Sequence, residues 1–213
     1  MQILGLFFLG FISAFVGISP PGLINMTAVK VNLKEGKRTA LWFVFGAVII
    51  IFFQTFLALL FAKVIDKSPS LILLLREIGC VIFALLTIYF LFVAKKPKLK
   101  GGNIKKYSNS SRFFGMLLSA LNFFPIPYYV LLGITFASYQ LFAFDFFSIL
   151  IFVLGVVSGA FVVFYGYVVF FTKIESKADF FIQNMNKIIG TITGLIAVVT
   201  FLNILKHYGL LSL

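Results

Sequence analysis

The sequence predicts an all-α polytopic membrane protein, and three observations carry that reading. Of 213 residues, 62% are hydrophobic and 11% charged, where a soluble domain has roughly 45–50% apolar and about 25% charged residues. The apolar residues gather in charge-free blocks at 1–29, 39–62, 78–94, 113–144, 146–172 and 188–205, and a helix needs about 20 such residues to cross roughly 30 Å of hydrocarbon. The basic residues that give the net charge of +12 lie mostly between the blocks, where they act as topology signals, so no nucleic-acid partner is expected. Six transmembrane helices follow, with the lipid bilayer as their solvent.

Helix 1 spans about 3–28. It begins without the basic region of a signal peptide and exceeds the usual length of that peptide's apolar core, so it reads as a retained helix. Ser19-Pro20-Pro21-Gly22 interrupts it. Proline removes a backbone donor and clashes with the preceding turn, at a cost of about 3 kcal/mol or more in a helix interior. Helix 2 covers 39–62 and carries Gln54 and Thr55 in an otherwise apolar run. Helix 3, at 71–94, contains the lone cysteine, Cys80, and near its outer end the charge pair Arg76-Glu77. Cys80 reads as a packing residue, and the pair is shallow enough to snorkel.

The stretch 95–111 holds Pro97, Gly101-Gly102 and six lysines, the composition of a solvated linker. Helix 4, at 112–138, is interrupted by Pro125-Ile126-Pro127. Helix 5 covers 146–172 and helix 6 covers 187–205. Their spaced glycines, Gly155/Gly159 and Gly190/Gly194, permit close contact between helices 5 and 6 or across a homo-oligomer. Counting connections, 14 of the 18 basic residues fall in the odd-numbered ones, which places those loops in the cytoplasm and both termini outside.

The linker divides the chain into a first three-helix repeat at 1–94 and a second at 112–213. Three being odd, the second half enters the membrane from the opposite side, as an inverted-topology repeat requires. Helices 1 and 4, the first of each half, are both broken. Opened backbone at membrane depth is tolerated where it faces protein or a wet cavity, and paired interruptions point to a transporter's binding site. The two breaks are therefore expected to meet and frame a polar pocket.

At these residues the chain resembles the LysE-type family of amino-acid exporters. The match rests on Gly17-Ile18-Ser19-Pro20-Pro21-Gly22, the basic loop Lys34-Glu35-Gly36-Lys37-Arg38, Gly46, and Phe114-Gly115 followed by Asn122 and the prolines at 125 and 127. The resemblance implies export of an amino acid or similar small carboxylated metabolite across a bacterial inner membrane.

The expected substrate-binding residues are Ser19, Pro20, Pro21, Gly22, Asn25, Gln54, Asn122, Pro125, Pro127 and Tyr128. Ser19 is expected to cap the half-helix after the break, whose free amides would receive a carboxylate, and Gly22 would admit the ligand to the backbone. Asn25, Asn122, Gln54 and, less centrally, Thr27 and Ser119 place polar groups at membrane depth. Tyr128 and Tyr129 follow the second break, and Tyr165 and Tyr167 mark packing or the cavity rim. No cysteine, histidine or acidic cluster has metal-ligand spacing and no phosphate-cradling loop occurs, so no cofactor is expected. The rival classes are a membrane-embedded enzyme acting on lipids or thiols, for which Cys80 lacks a histidine partner within the spans, and a non-transporting subunit of a complex.

Overall fold

The structure, a computed structural model, describes residues 3–20, 22–94, 111–170 and 175–210. The basic linker and Pro21 lie outside them. Among the described residues there are eight α-helices and no strand: α1 (Ile3–Ile18), α2 (Leu23–Glu35), α3 (Lys37–Asp66), α4 (Pro69–Ile88), α5 (Ser111–Ala120), α6 (Pro125–Ser138), α7 (Phe146–Phe170) and α8 (Glu175–His207). A π-helical turn, Tyr89–Val93, continues α4. By length and hydropathy α3 and α7 can each cross a membrane, as can the bent pairs α1–α2 and α5–α6 if each counts as one span. This is the architecture of a polytopic membrane protein. The outward faces fit it: Phe53, Leu57, Phe61 and Val64 of α3 are exposed, as an apolar solvent allows.

Both breaks fall where the prolines predict them, with bends of 77° between α1 and α2 and 61° between α5 and α6. One boundary differs. The connection expected between helices 5 and 6 is largely helical, because α8 starts at Glu175 and so absorbs Lys177 and Lys187. No proline or glycine stands between Gly166 and Gly190 to stop it.

The chain forms two compact units, one comprising Met1–Val64 and Gly102–Ser176, the other Ile65–Gly101 and Lys177–Leu213. In the first, glycine sets the helix crossings. A Cβ built on Gly10 would lie 2.1 Å from Phe152 O, and one on Gly155 would lie 2.1 Å from Phe7 O, so α1 and α7 touch backbone to backbone. The α3–α5 crossing repeats this geometry, with 2.0 Å from Gly46 to Arg112 O and 2.0 Å from Gly115 to Phe43 O. The core between these pairs is built from Phe43, Val44, Leu59, Tyr129, Phe152 and Val156.

In the second unit α4 and α8 run antiparallel. Gly190 receives Leu91, Gly194 receives Thr87, the Thr87 and Thr193 hydroxyl oxygens lie 3.0 Å apart, and the Cys80 thiol donates to Ala197 O at 3.6 Å. The Tyr208 hydroxyl donates to Glu77 at 2.7 Å. These contacts correct the expectation that the spaced glycines join helices 5 and 6. Gly155 and Gly159 lie against α1, and Gly190 and Gly194 against α4. The first stripe meets the backbone of α1, whereas the second receives side chains of the facing helix.

Candidate functional site: two stitched helix breaks

The first break is not capped as the sequence suggests. α1 ends at Ile18, and Ser19 belongs to that end: its amide and its hydroxyl both donate back to Phe15 O. The N-cap of α2 is Gly22, in extended conformation at φ −128 and ψ 179, without a side-chain cap. Proline disfavours the helical conformation in the residue before it, so the chain cannot re-enter a helix at Ser19 with prolines at 20 and 21. It turns once it has passed them.

Opening the helix frees carbonyls, and buried side chains bond them. Asn25 Nδ2 donates to Ile18 O at 2.7 Å and to Pro20 O at 3.0 Å. From α7 the Tyr167 hydroxyl donates to Ser19 O at 2.6 Å. Gly155, Gly159, Val163 and Tyr167 stand four residues apart on one buried stripe of α7, and the first two face α1, so the stripe delivers Tyr167 to the break one level further along. That spacing is the signal by which sequence reasoning could have found Tyr167. Thr27 bonds Leu23 O within its own helix.

The second break is stitched from the other direction. α6 starts with Pro125 in its first turn, where the missing amide would have had no intrahelical partner. Pro127 is exposed on the same turn. The pair thus begins a helix rather than interrupting one. Gln54 of α3 donates from Nε2 to Ser119 O at 3.2 Å and to Asn122 O at 2.9 Å, and Asn122 Oδ1 accepts from Phe124 N at 3.3 Å.

Tyr128 brings the two breaks together. Its hydroxyl donates to Ser13 O at 2.8 Å, and its ring lies so close to Gly17 that a Cβ there would come within 2.9 Å of it. Tyr129 stands beside it with ring centroids 4.9 Å apart. Carbonyls opened at the two breaks are bonded by Asn25, Tyr167 and Gln54, and a cleft of about 340 Å³ lies at the α6–α7 connection, lined by Leu6, Ala137, Gln140, Phe142 and Ser148 among others. Carbonyls freed at membrane depth need donors at once, and this sequence supplies them as side chains. Among the described residues no group of three or more His, Cys, Asp or Glu side chains could hold a metal ion.

The arrangement ties two unwound segments to side-chain donors and joins the first turn of α6 to α1 through one aromatic side chain. No curated protein and no solved structure matches the chain. A family model does, over residues 14–204, a stretch that begins in α1, takes in both breaks and Gln54, and ends in α8. With nearly the whole chain covered, the protein belongs to the LysE type translocator family.

Proposed function

We propose that this chain is a secondary transporter that exports an amino acid or similar small carboxylated metabolite across a bacterial inner membrane by alternating access. It crosses the membrane six times as two inverted three-helix repeats, with both termini outside and the basic connections in the cytoplasm. The observation that carries the reading is the crossed stitching. The break after α1 is held from α7 by Tyr167, and the break after α5 is held from α3 by Gln54. Each half thus supplies a donor to the interrupted helix of the other, as expected where two repeats rock about a shared site near the bilayer centre. Small-molecule recognition falls to the segments around Ser19, Pro20, Pro21, Gly22 and Asn25 on one side and Gln54, Asn122, Pro125, Pro127 and Tyr128 on the other.

The test is a metabolite profile of the medium from cells with and without the protein. Expression is expected to enrich at least one small carboxylated metabolite outside the cell. Replacing Pro20 and Pro21 together by alanine abolishes that enrichment while the protein still inserts. Unchanged export by the double variant refutes the role of the break, and a profile indifferent to the protein refutes export itself.

A further inference from the structure

Helical serine and threonine hydroxyls in this chain are bonded as a rule to the carbonyl four residues back: Ser13, Thr27, Thr39, Thr87, Thr135 and Ser158 all do so at 2.7–3.1 Å. Thr55 and Ser119 do not. Both are fully buried, at 0% exposure, and no group among the described residues pairs with either hydroxyl. Gln54 Oε1 and the Tyr129 hydroxyl share that condition. Side-chain oxygens left unpaired in an interior are costly.

Helix periodicity puts these four groups on the faces that α3, α5 and α6 turn toward one another around the α5–α6 break. Ser119 continues the buried stripe Ser111, Gly115, Ser119 of α5. The first two residues touch α3, through the Ser111 hydroxyl donating to Thr39 O and through the backbone contact of Gly115 with Phe43 and Ala47. Ser119 therefore meets α3 about one turn beyond Ala47, below Gln54, which reaches its carbonyl. On α6, Gly133 sits against Leu59 and Ala62. Tyr129 lies one turn earlier on that face, level with Thr55, itself one turn before Leu59. Gln54, Thr55, Ala58 and Leu59 share the buried face of α3.

The atoms on offer define the guest. Both hydrogen bonds recorded for the Gln54 amide nitrogen go to backbone carbonyls, so what the side chain still presents is an acceptor, beside three hydroxyls that can also accept. The complementary group is a multiple donor, and an ammonium carries three N–H donors. The six carboxylates of the chain are at positions 35, 66, 77, 145, 175 and 179, none of them in α5, α6 or the α3 segment at the junction. A guest with net positive charge would be buried there without a counter-ion, which is expensive, whereas a zwitterion brings its own.

We propose that this junction is the amine subsite of the transported molecule, in which Gln54 Oε1, Thr55 Oγ1, Ser119 Oγ and the Tyr129 hydroxyl receive the ammonium of a net-neutral zwitterion. The inference rests on the transport reading and sharpens it, because a metabolite bearing a carboxylate alone does not satisfy the four oxygens.

The experiment uses the full chain in lipid nanodiscs. Its melting temperature is recorded against each of the standard amino acids, against the des-amino carboxylate and the N-trimethyl form of every amino acid that stabilises it, and against sodium chloride. At least one neutral amino acid is expected to raise the melting temperature saturably, its amine-lacking and trimethylated forms not. Thr55→Val and Ser119→Ala, which replace unpaired hydroxyls by apolar groups, melt at or above the wild type without ligand yet need roughly tenfold more amino acid for half-saturation. Thr55→Ser, which restores the hydroxyl, responds as wild type. A structural role for these hydroxyls would instead lower the melting temperature of the unliganded variants and leave half-saturation alone. The inference is overturned if the des-amino carboxylate stabilises equally, if both variants keep wild-type half-saturation, if sodium stabilises in place of any amino acid, or if nothing stabilises. In each case the export profile decides separately whether the transport reading stands.

Discussion

The glycine crossings make the sharpest prediction about the scaffold, because one helix contains both the test and its control. Gly155→Ala places a Cβ 2.1 Å from Phe7 O and 2.9 Å from Phe7 C. Both are backbone atoms of α1, which no side-chain rotation can move aside. Ordinary contact begins near 3.4 Å, so α1 and α7 must separate by about 1.3 Å along the crossing, which also loosens the contact of Gly159 with Phe11 and Ala14. Overpacking costs about 1–3 kcal/mol, and a rigid clash belongs at the upper end. Alanine returns up to about 1 kcal/mol of helix propensity. The net loss is about 2 kcal/mol, or about 4–8 °C in melting temperature for a chain of this size. Gly166→Ala, eleven residues along α7, meets nothing within 4 Å and should gain up to about 1 kcal/mol. The assay is thermal unfolding of the purified chain in one detergent. Similar shifts for the two variants would refute the close crossing. A cycle with Gly10→Ala adds a second check: one separation relieves both clashes, so the double variant loses clearly less than the two single losses combined.

Gln54→Leu leaves Asn122 O without its side-chain donor and should cost about 1–3 kcal/mol by chemical unfolding, with export lost. Tyr128→Phe keeps the ring against Gly17 and removes only the bond to Ser13 O. Stability should fall by about 0.6 kcal/mol and export rates much more, because the bond ties one broken helix to the other; a normal export rate counts against that tie. Asp145, before α7, accepts from the amides of Phe147 and Ser148 at 3.1 and 3.0 Å. The Ser148 side chain and then its amide hold the Asp145 carboxyl below its ordinary value of 3.8. A carboxyl depressed in the folded state lends stability above that ordinary value and loses it as pH falls through the lower folded value. Asp145→Ala should therefore melt below wild type at neutral pH, and the gap should close in acid; a gap independent of pH would show that the charge does not contribute.

Hydropathy and proline placement made most of the helical skeleton legible, because burial in lipid acts on every residue of a span and proline acts locally. What escaped were interactions set by the partner helix. Ser19 reads as a cap because serine is a good cap in general, yet the two prolines after it postpone the turn to Gly22. Asn25 reads as a residue facing a ligand, and the structure places its amide nitrogen on the backbone beside it. The glycine pairs were legible as crossings but not as to whom they cross, since a small-residue stripe specifies closeness and leaves identity to the facing helix. Tyr167 was visible as a packing tyrosine, and its role at the break follows only once Gly155 and Gly159 are known to face α1.

Counted from the crossings rather than from the helix starts, the two broken helices follow one plan. Pro20 is ten residues past Gly10, and Pro125 is ten past Gly115. Each crossing glycine meets the carbonyl three residues before its partner glycine and the amide one residue after it, at α1–α7 and at α3–α5 alike. A crossing fixes the height at which the following turn of helix meets its neighbour, so an equal count from crossing to proline puts both breaks at equal depth past their contacts. The donors do not obey the same count: Gln54 is eight residues past Gly46 and Tyr167 twelve past Gly155. The scaffold is therefore more symmetric than the chemistry it carries. That inequality leaves the two breaks held with different strength. Here an amide with two bonds holds one break from the opposite half, while a phenol with one bond holds the other, aided by Asn25 from within.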